Sequence, residues 1–268
     1  MAVLPIHKYF IYNSDVCSVS EFTPSENEGG IYEVLRVVKG VPLFLEEHLE
    51  RFYHSAEIAG KTIHFSQNQI KKLINLLISR NGVTAGNILV SCKINLKAYF
   101  IPHKYPSAEM YKNGVPCGIL KAERQNPNAK VFQTSVREQA NKLIQAKGFY
   151  EVLLVDHLGR ITEGSRSNVF FVKNNTLITP PGNEVLLGIT RKKTIALAKQ
   201  LAIRFKEEDI YLDELEQYSA TIITGTSPKV LPVSKVGFLT FDPKNEIIQK
   251  LIHAYDDLIR DYIKNYKQ

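Results

Sequence analysis

In the stretch ITEGSRSNVFFV a lone acid, Glu163, stands between two apolar runs, EVLLV over 151–155 and NVFFV over 168–172. A carboxylate buried at a strand end without a partner is destabilising by several kcal/mol, so Glu163 must face water or meet a cation or an N–H donor. Taken alone, facing water is the simpler reading. Two further patterns suit an anion. Gly188-Ile189-Thr190 leads into the helical run RKKTIALAKQLA, with Thr190 as the expected N-cap. The first amides of such a helix have no intrahelical acceptors and, with the helix dipole, favour a phosphate there, although Gly-X-Thr by itself is an ordinary cap. His48 and Arg51 lie one turn apart beside an apolar stripe, where an arginine either reaches a phosphate or snorkels over the core. No Gly-rich strand–loop–helix fingerprint accompanies them, which argues against a nucleotide.

The elements that must position these residues follow from local pattern. Residues 8–13 and 31–38 carry the β-branched and aromatic side chains of strands, and Lys39-Gly40 turns the second into VPLFL as a hairpin. Apolar residues at Leu45, Leu49, Phe52, Ala56 and Ala59 form a helical stripe that Gly60 ends, and QNQIKKLINLLIS predicts a second helix over 67–79. NILVSCKINLKAYFI holds two more strands. HKYPSAEMYKNG then reads as a linker, with a boundary near residue 108.

Beyond it, Ser135 and Glu138 suggest a capping box for a helix whose face is Val136, Ala140, Leu143 and Ile144 and whose end is Gly148. Asp156-His157-Leu158-Gly159 should fold EVLLV back on itself, so that Glu163 falls at the end of the return strand, where Gly164 permits a bulge. SATIITGTSPKVLPV reads as a strand running into a turn, and an amphipathic helix begins near Asn245. Strands and helices mix without regular βαβ alternation, so the fold class is α/β of the α+β kind rather than doubly wound.

Composition narrows the function. The chain has 268 residues, 44% apolar and 23% charged, enough for a sizeable core. The formal net charge is +7, but the lysines are spread along the chain without interleaved aromatics, so a basic surface that attracts small anions is expected rather than nucleic-acid binding. No apolar run approaches the ~18 residues of a membrane span, and a cytoplasmic protein is expected. Cys17, Cys92 and Cys117 are widely separated, which predicts reduced, structural thiols and no metal site.

Taken together, IYEVLRVVKGVPLFLEEHLERFYHSAEIAG, NAKVFQ, TEGSRSNVFFV, NNTLITPP, LLGITR and ITGTSPKVLPV resemble the class IV aminotransferases in their order and spacing. These fold-type IV enzymes use pyridoxal 5′-phosphate (PLP) and include D-amino acid aminotransferase, branched-chain aminotransferase and 4-amino-4-deoxychorismate lyase. The likeness runs from about Tyr9 to Tyr262. It implies a small α+β N-terminal domain over 1–108 and a larger barrel-like, PLP-binding domain over 109–268. It implies that Lys130 forms the Schiff base with the cofactor aldehyde and then carries a proton between the substrate Cα and the cofactor. Glu163, by the same resemblance, faces the pyridine nitrogen and keeps the ring protonated, so that the ring draws electrons from Cα. Arg51 would hold the phosphate through paired hydrogen bonds. Gly188, Ile189 and Thr190, with Gly225 and Thr226 of the turn that starts at Thr224, would supply its remaining donors.

Tyr32 matches a tyrosine lining the substrate side in D-amino acid aminotransferase; a strand tyrosine of the core is the plainer alternative. Two departures concern the substrate. Where many relatives have Gly-Asp-Gly before this strand, the chain has Glu28-Gly29-Gly30, and where many have Thr-Arg-Gly it has Lys93-Ile94-Asn95. Lys93, Lys97 and Arg166 are the cations left to bind a substrate carboxylate, although each also suits a solvated surface. The resemblance implies a homodimer that moves an amino group from an amino acid to a 2-oxo acid. The alternative within the family is the lyase reaction, which releases pyruvate and 4-aminobenzoate. A non-catalytic binding protein is a further alternative, disfavoured by the joint presence of Lys130, Glu163 and Arg51.

Overall fold

The alternation of strand 31–38 sorts its side chains between two faces of a sheet. The computed structural model describes residues 3–24, 29–124, 126–132 and 134–266. Its contacts divide the chain into two compact units, Met1–Lys104 with Ala129–Gln133 and Ile259–Gln268, and Tyr105–Asn128 with Thr134–Leu258. The short segment that carries Lys130 thus belongs to the first unit. Glu28, in the altered loop before the strand, lies outside the described residues.

The first unit is built on β1 (Tyr9–Tyr12), β2 (Asp15–Ser18), β3 (Ile31–Val38), β4 (Val41–Pro42), β5 (Ala85–Cys92) and β6 (Leu96–Ile101). They form an antiparallel sheet in the order β2-β1-β6-β5-β3-β4. Two helices, α1 (Leu45–Ile58) and α2 (Gln67–Asn81), have their apolar stripes in the core with one face of this sheet. Ile31, Leu35 and Val37 of β3 pack there with Leu49, Phe52, Ile74 and Leu77. Tyr32 and Val34 point the other way, into a cluster with Phe10, Leu89 and Tyr99. Ser66 caps α2 in a box with Gln69, and Gly82 ends it in the left-handed region.

The second unit holds α3 (Ala108–Asn113), β7 (Val115–Lys121), α4 (Thr134–Lys147), β8 (Glu151–Val155), β9 (Ile161–Gly164), β10 (Asn168–Lys173), β11 (Thr176–Thr179), α5 (Ile189–Gln200), β12 (Arg204–Glu207), β13 (Ala220–Gly225), β14 (Lys229–Val236) and β15 (Leu239–Thr240). Helix α6 (Glu246–Asn265) follows. The sheet runs β12-β11-β10-β13-β14-β7-β8-β9, with β15 on β14. It curls into a half-barrel, and its two ends are laced together by the residues after β12: Ile161 N–H donates to Ile210 O at 2.7 Å, and Arg160 bridges Tyr211. Side chains of β7, β8, β10, β13 and β14 fill the interior.

Three local expectations differ from the structure. The supposed linker contains α3, whose Ser107 side chain accepts from Met110 N–H and provides the cap that a loop reading omits. Ser135 lies inside the first turn of α4, which begins at Thr134, so it is not the N-cap of a box with Glu138. Thr190 is likewise the second residue of α5, capped by Gly188 without a side-chain bond; its hydroxyl accepts from Tyr255 Oη at 3.4 Å.

Candidate active site

In the first unit, α1 presents His48, Arg51 and Ser55 on one face by helical spacing. Beneath them Glu33 of β3 is only 1% exposed. Arg51 donates Nε to Glu33 Oε1 and Nη2 to Oε2, both at 2.7 Å, and His48 Nδ1 lies 2.7 Å from Oε2. Burial by itself would raise the Glu33 carboxyl, but the Arg51 guanidinium and the His48 hydrogen bond outweigh it and bring it down to about 2. His48 is pushed below its ordinary range, chiefly by burial, so near neutrality it is an uncharged donor to Glu33. The side-on fork of Arg51 is therefore taken.

Residues 129–132 run beside the start of β3: Tyr32 N–H donates to Lys130 O at 3.1 Å, and Phe132 N–H to Gly30 O at 2.9 Å. Lys130 N–H donates to Ser55 Oγ at 3.1 Å, tying the segment to the helix that carries Arg51. The half-buried Lys130 ammonium sits 4.6 Å from the Tyr32 ring centroid, and Tyr32 stacks on Phe132 at 4.1 Å. Tyr32 thus forms a wall beside the lysine, on the sheet face opposite α1.

In the second unit the Asp156–Gly159 turn returns β8 as β9. Glu163 is 3% exposed, and both its oxygens have donors. Arg124 Nη1 donates to Oε1 at 2.9 Å, and Leu186 N–H to Oε2 at 3.2 Å. After Glu163 the chain bends sharply, with Gly164 N–H donating to Ser167 O at 2.7 Å. A Cβ on Gly164 would sit 2.1 Å from Ser167 Oγ, so the bend needs glycine because of close approach. Buried Glu151 gathers the bend from below, accepting from Ser165 Oγ at 2.6 Å, Ser167 Oγ at 3.0 Å and Arg166 N–H at 3.1 Å.

The backbone of the same residue, Leu186, leads to the start of α5. Its carbonyl accepts from Gly188 N–H at 2.7 Å and from Asn168 Nδ2 at 2.8 Å. A Cβ on Gly188 would come within 2.1 Å of Asn168 Oδ1, so a larger residue there would have to displace the Asn168 amide. Asn168 is the direct cross-strand partner of Thr224, the residue before Gly225 and Thr226. Residues 163, 188–190 and 224–226 therefore meet in one neighbourhood. Thr224 Oγ1 there is buried without a hydrogen-bond partner among the described residues. Such a hydroxyl is destabilising unless something binds it.

Residues 30–236 match the family of class IV amino-transferases, and the chain belongs to that family. A protein of Rickettsia typhi described as a probable branched-chain-amino-acid aminotransferase is 32% identical over 225 residues, covering 78% of each chain. The D-alanine aminotransferase of Bacillus licheniformis is 29% identical over 229 residues, covering 77% of this chain and 78% of its own. Among solved structures, a T.th. branched-chain amino acid aminotransferase complexed with N-(5′-phosphopyridoxyl)-L-glutamate shares the fold at a TM-score of 0.85 and 22% identity, covering 95% of both chains. A chain from Legionella pneumophila described as a 4-amino-4-deoxychorismate lyase shares it at 0.78 and 20%, covering 89% of this chain and 97% of its own.

PLP is the cofactor of this family, and the residues present fit it. An open helix start beside an unsatisfied threonine hydroxyl suits a phosphate, and a buried carboxylate held on both oxygens suits a ring nitrogen. Reading the sequence missed Glu33, Arg124, Leu186, Asn168 and Glu151. Glu151, beside the apolar run VLLV, and Glu33, in a strand whose one other charged residue is Arg36, carried a signal like the one that drew attention to Glu163. Arg124 and the Leu186 peptide carried none.

Proposed function

We propose that the chain is a PLP-dependent aminotransferase whose active site uses Lys130, Glu163, Arg51, Gly188, Ile189, Thr190, Gly225 and Thr226, with Tyr32 on the substrate side. The observation that supports this most is the backbone of Leu186: its N–H holds the acid and its C=O accepts from Gly188 N–H at the start of α5. When bound, the cofactor supplies an aldehyde for the substrate amine and an electron-poor ring that stabilises negative charge at Cα. Lys130 Nζ would provide the amine that anchors the aldehyde and, once freed by substrate, would carry the proton from the substrate Cα to the cofactor carbon that bore the aldehyde. Tyr32 limits where that side chain swings. Glu163 holds a proton at the ring nitrogen. Arg51 and the amides and hydroxyls of 189–190 and 225–226 hold the phosphate.

Amino acids and 2-oxo acids are the substrates. The protein works as a homodimer in the cytoplasm; among the described residues no helix is long and apolar enough to cross a membrane. The lyase reaction is the second reading, supported by the shared fold and by the absence of arginine from residues 85–101. The test is to incubate the PLP-loaded protein with 2-oxoglutarate and either L-leucine or D-alanine, and separately with aminodeoxychorismate. Glutamate formed from an amino acid supports the proposal. Pyruvate and 4-aminobenzoate from the third substrate, with no glutamate from the other two, would replace it by the lyase.

A further inference from the structure

Arg124 donates to one oxygen of Glu163 and the Leu186 N–H to the other. Two donors on different oxygens fix the plane of a carboxylate, which a single donor leaves free to rotate. Of the two, only Arg124 is charged. A cation in direct contact with a carboxylate lies closer to it than to any group sharing a proton with that carboxylate, so it favours the ionised acid with the proton on that group.

Arg124 is itself held in place. Ala122 N–H donates to Val155 O at 3.0 Å, extending the β7–β8 pairing to two residues short of it, and its side chain is only 13% exposed. A loosely held surface arginine has neither property.

We infer that Arg124 is a positioning residue that orients Glu163 and keeps the proton of the Glu163–ring nitrogen pair on the nitrogen. The inference rests on the reading of Glu163 as the acid beside the PLP ring, and it adds a residue that acts through that acid. Arg124→Met removes the cation while filling similar space, and Arg124→Lys keeps the charge without the planar fork.

The experiment loads wild type and both variants with PLP labelled with 15N in the ring and records the ring-nitrogen chemical shift, the PLP dissociation constant and the split between kcat and KM. In Arg124→Met the nitrogen signal moves toward the unprotonated ring and kcat falls by about 10- to 100-fold, as for other groups that orient a functional side chain. The dissociation constant changes by less than about tenfold, because the phosphate donors are untouched. Arg124→Lys recovers most of the nitrogen signal. A wild-type nitrogen signal in a PLP-loaded Arg124→Met protein overturns the inference alone, as does an Arg124→Lys signal matching that of Arg124→Met. Failure of wild type to take up PLP overturns the underlying reading. Should Arg124→Met not fold, an Arg124→Lys signal identical to wild type at unchanged kcat supports charge as the operative property, and a shifted signal at wild-type kcat overturns the inference.

Discussion

Replacing Glu33 by glutamine probes the buried triad of β3 and α1, and the structure sets the size of the effect. Glu33 receives two hydrogen bonds from Arg51 and one from His48. In Glu33→Gln the side-chain amide keeps one acceptor oxygen, and its NH2 can satisfy His48 only if the imidazole changes tautomer. Arg51 then lacks a counter-charge on β3. The carboxyl lies at about 2 against a reference of 4.5. That difference corresponds to about 3 kcal/mol of stability. Because the folded-state value is depressed, the contribution is fully present above pH 4.5 and is lost as pH falls towards 2. At pH 3 about 1.4 kcal/mol of it should remain. The assay is urea unfolding of wild type and Glu33→Gln from pH 7 to pH 3, with each transition followed by two probes because two units need not unfold together. The gap between the proteins should be about 3 kcal/mol at pH 7 and narrow steadily below pH 4.5. A gap independent of pH would mean that the substitution acts by packing and that the Glu33–Arg51 charge pair is not what holds α1 to the sheet.

Three other substitutions test separate parts of the site. Glu163→Gln should keep PLP within about tenfold of wild-type affinity yet lower kcat by at least about 100-fold, since the amide still occupies the space but cannot hold the ring proton; kcat and PLP titrations read both. Thr224→Val removes a buried hydroxyl that lacks a partner, so the cofactor-free protein should gain about 1 kcal/mol or more in thermal unfolding while PLP binding weakens. A variant that is no more stable and binds PLP normally would show that the hydroxyl is already satisfied. Gly188→Ala drives a Cβ against Asn168 Oδ1 and should weaken PLP binding more than it destabilises the fold, measured by cofactor titration beside a thermal melt.

How much of this was legible in the residues varies with how local the cause is. Strand β3, helices α1 and α2 and the return from β8 to β9 follow periodicity and turn chemistry that act within a few residues. The helix starts were harder. Thr190 and Ser135 are good capping residues by type, yet both fall one residue inside the helix, because tertiary packing sets where the helix begins. The acid at 163 was conspicuous because it stands between two apolar runs. Its partners were not, since Arg124 is 39 residues away and Leu186 contributes only backbone. A side chain can be marked by its type, but a peptide N–H is marked only by the fold that aims it. The role of Lys130 came from resemblance; the structure adds its place beside Tyr32 and its tie to Ser55.

The most direct measurement is chemical. Wild-type protein incubated with PLP, reduced with borohydride and digested should yield one pyridoxyl-modified peptide, carrying the label on Lys130, and prior addition of an amino donor should diminish it. A label confined to another lysine, or protein that takes up no reducible PLP at all, would contradict the account.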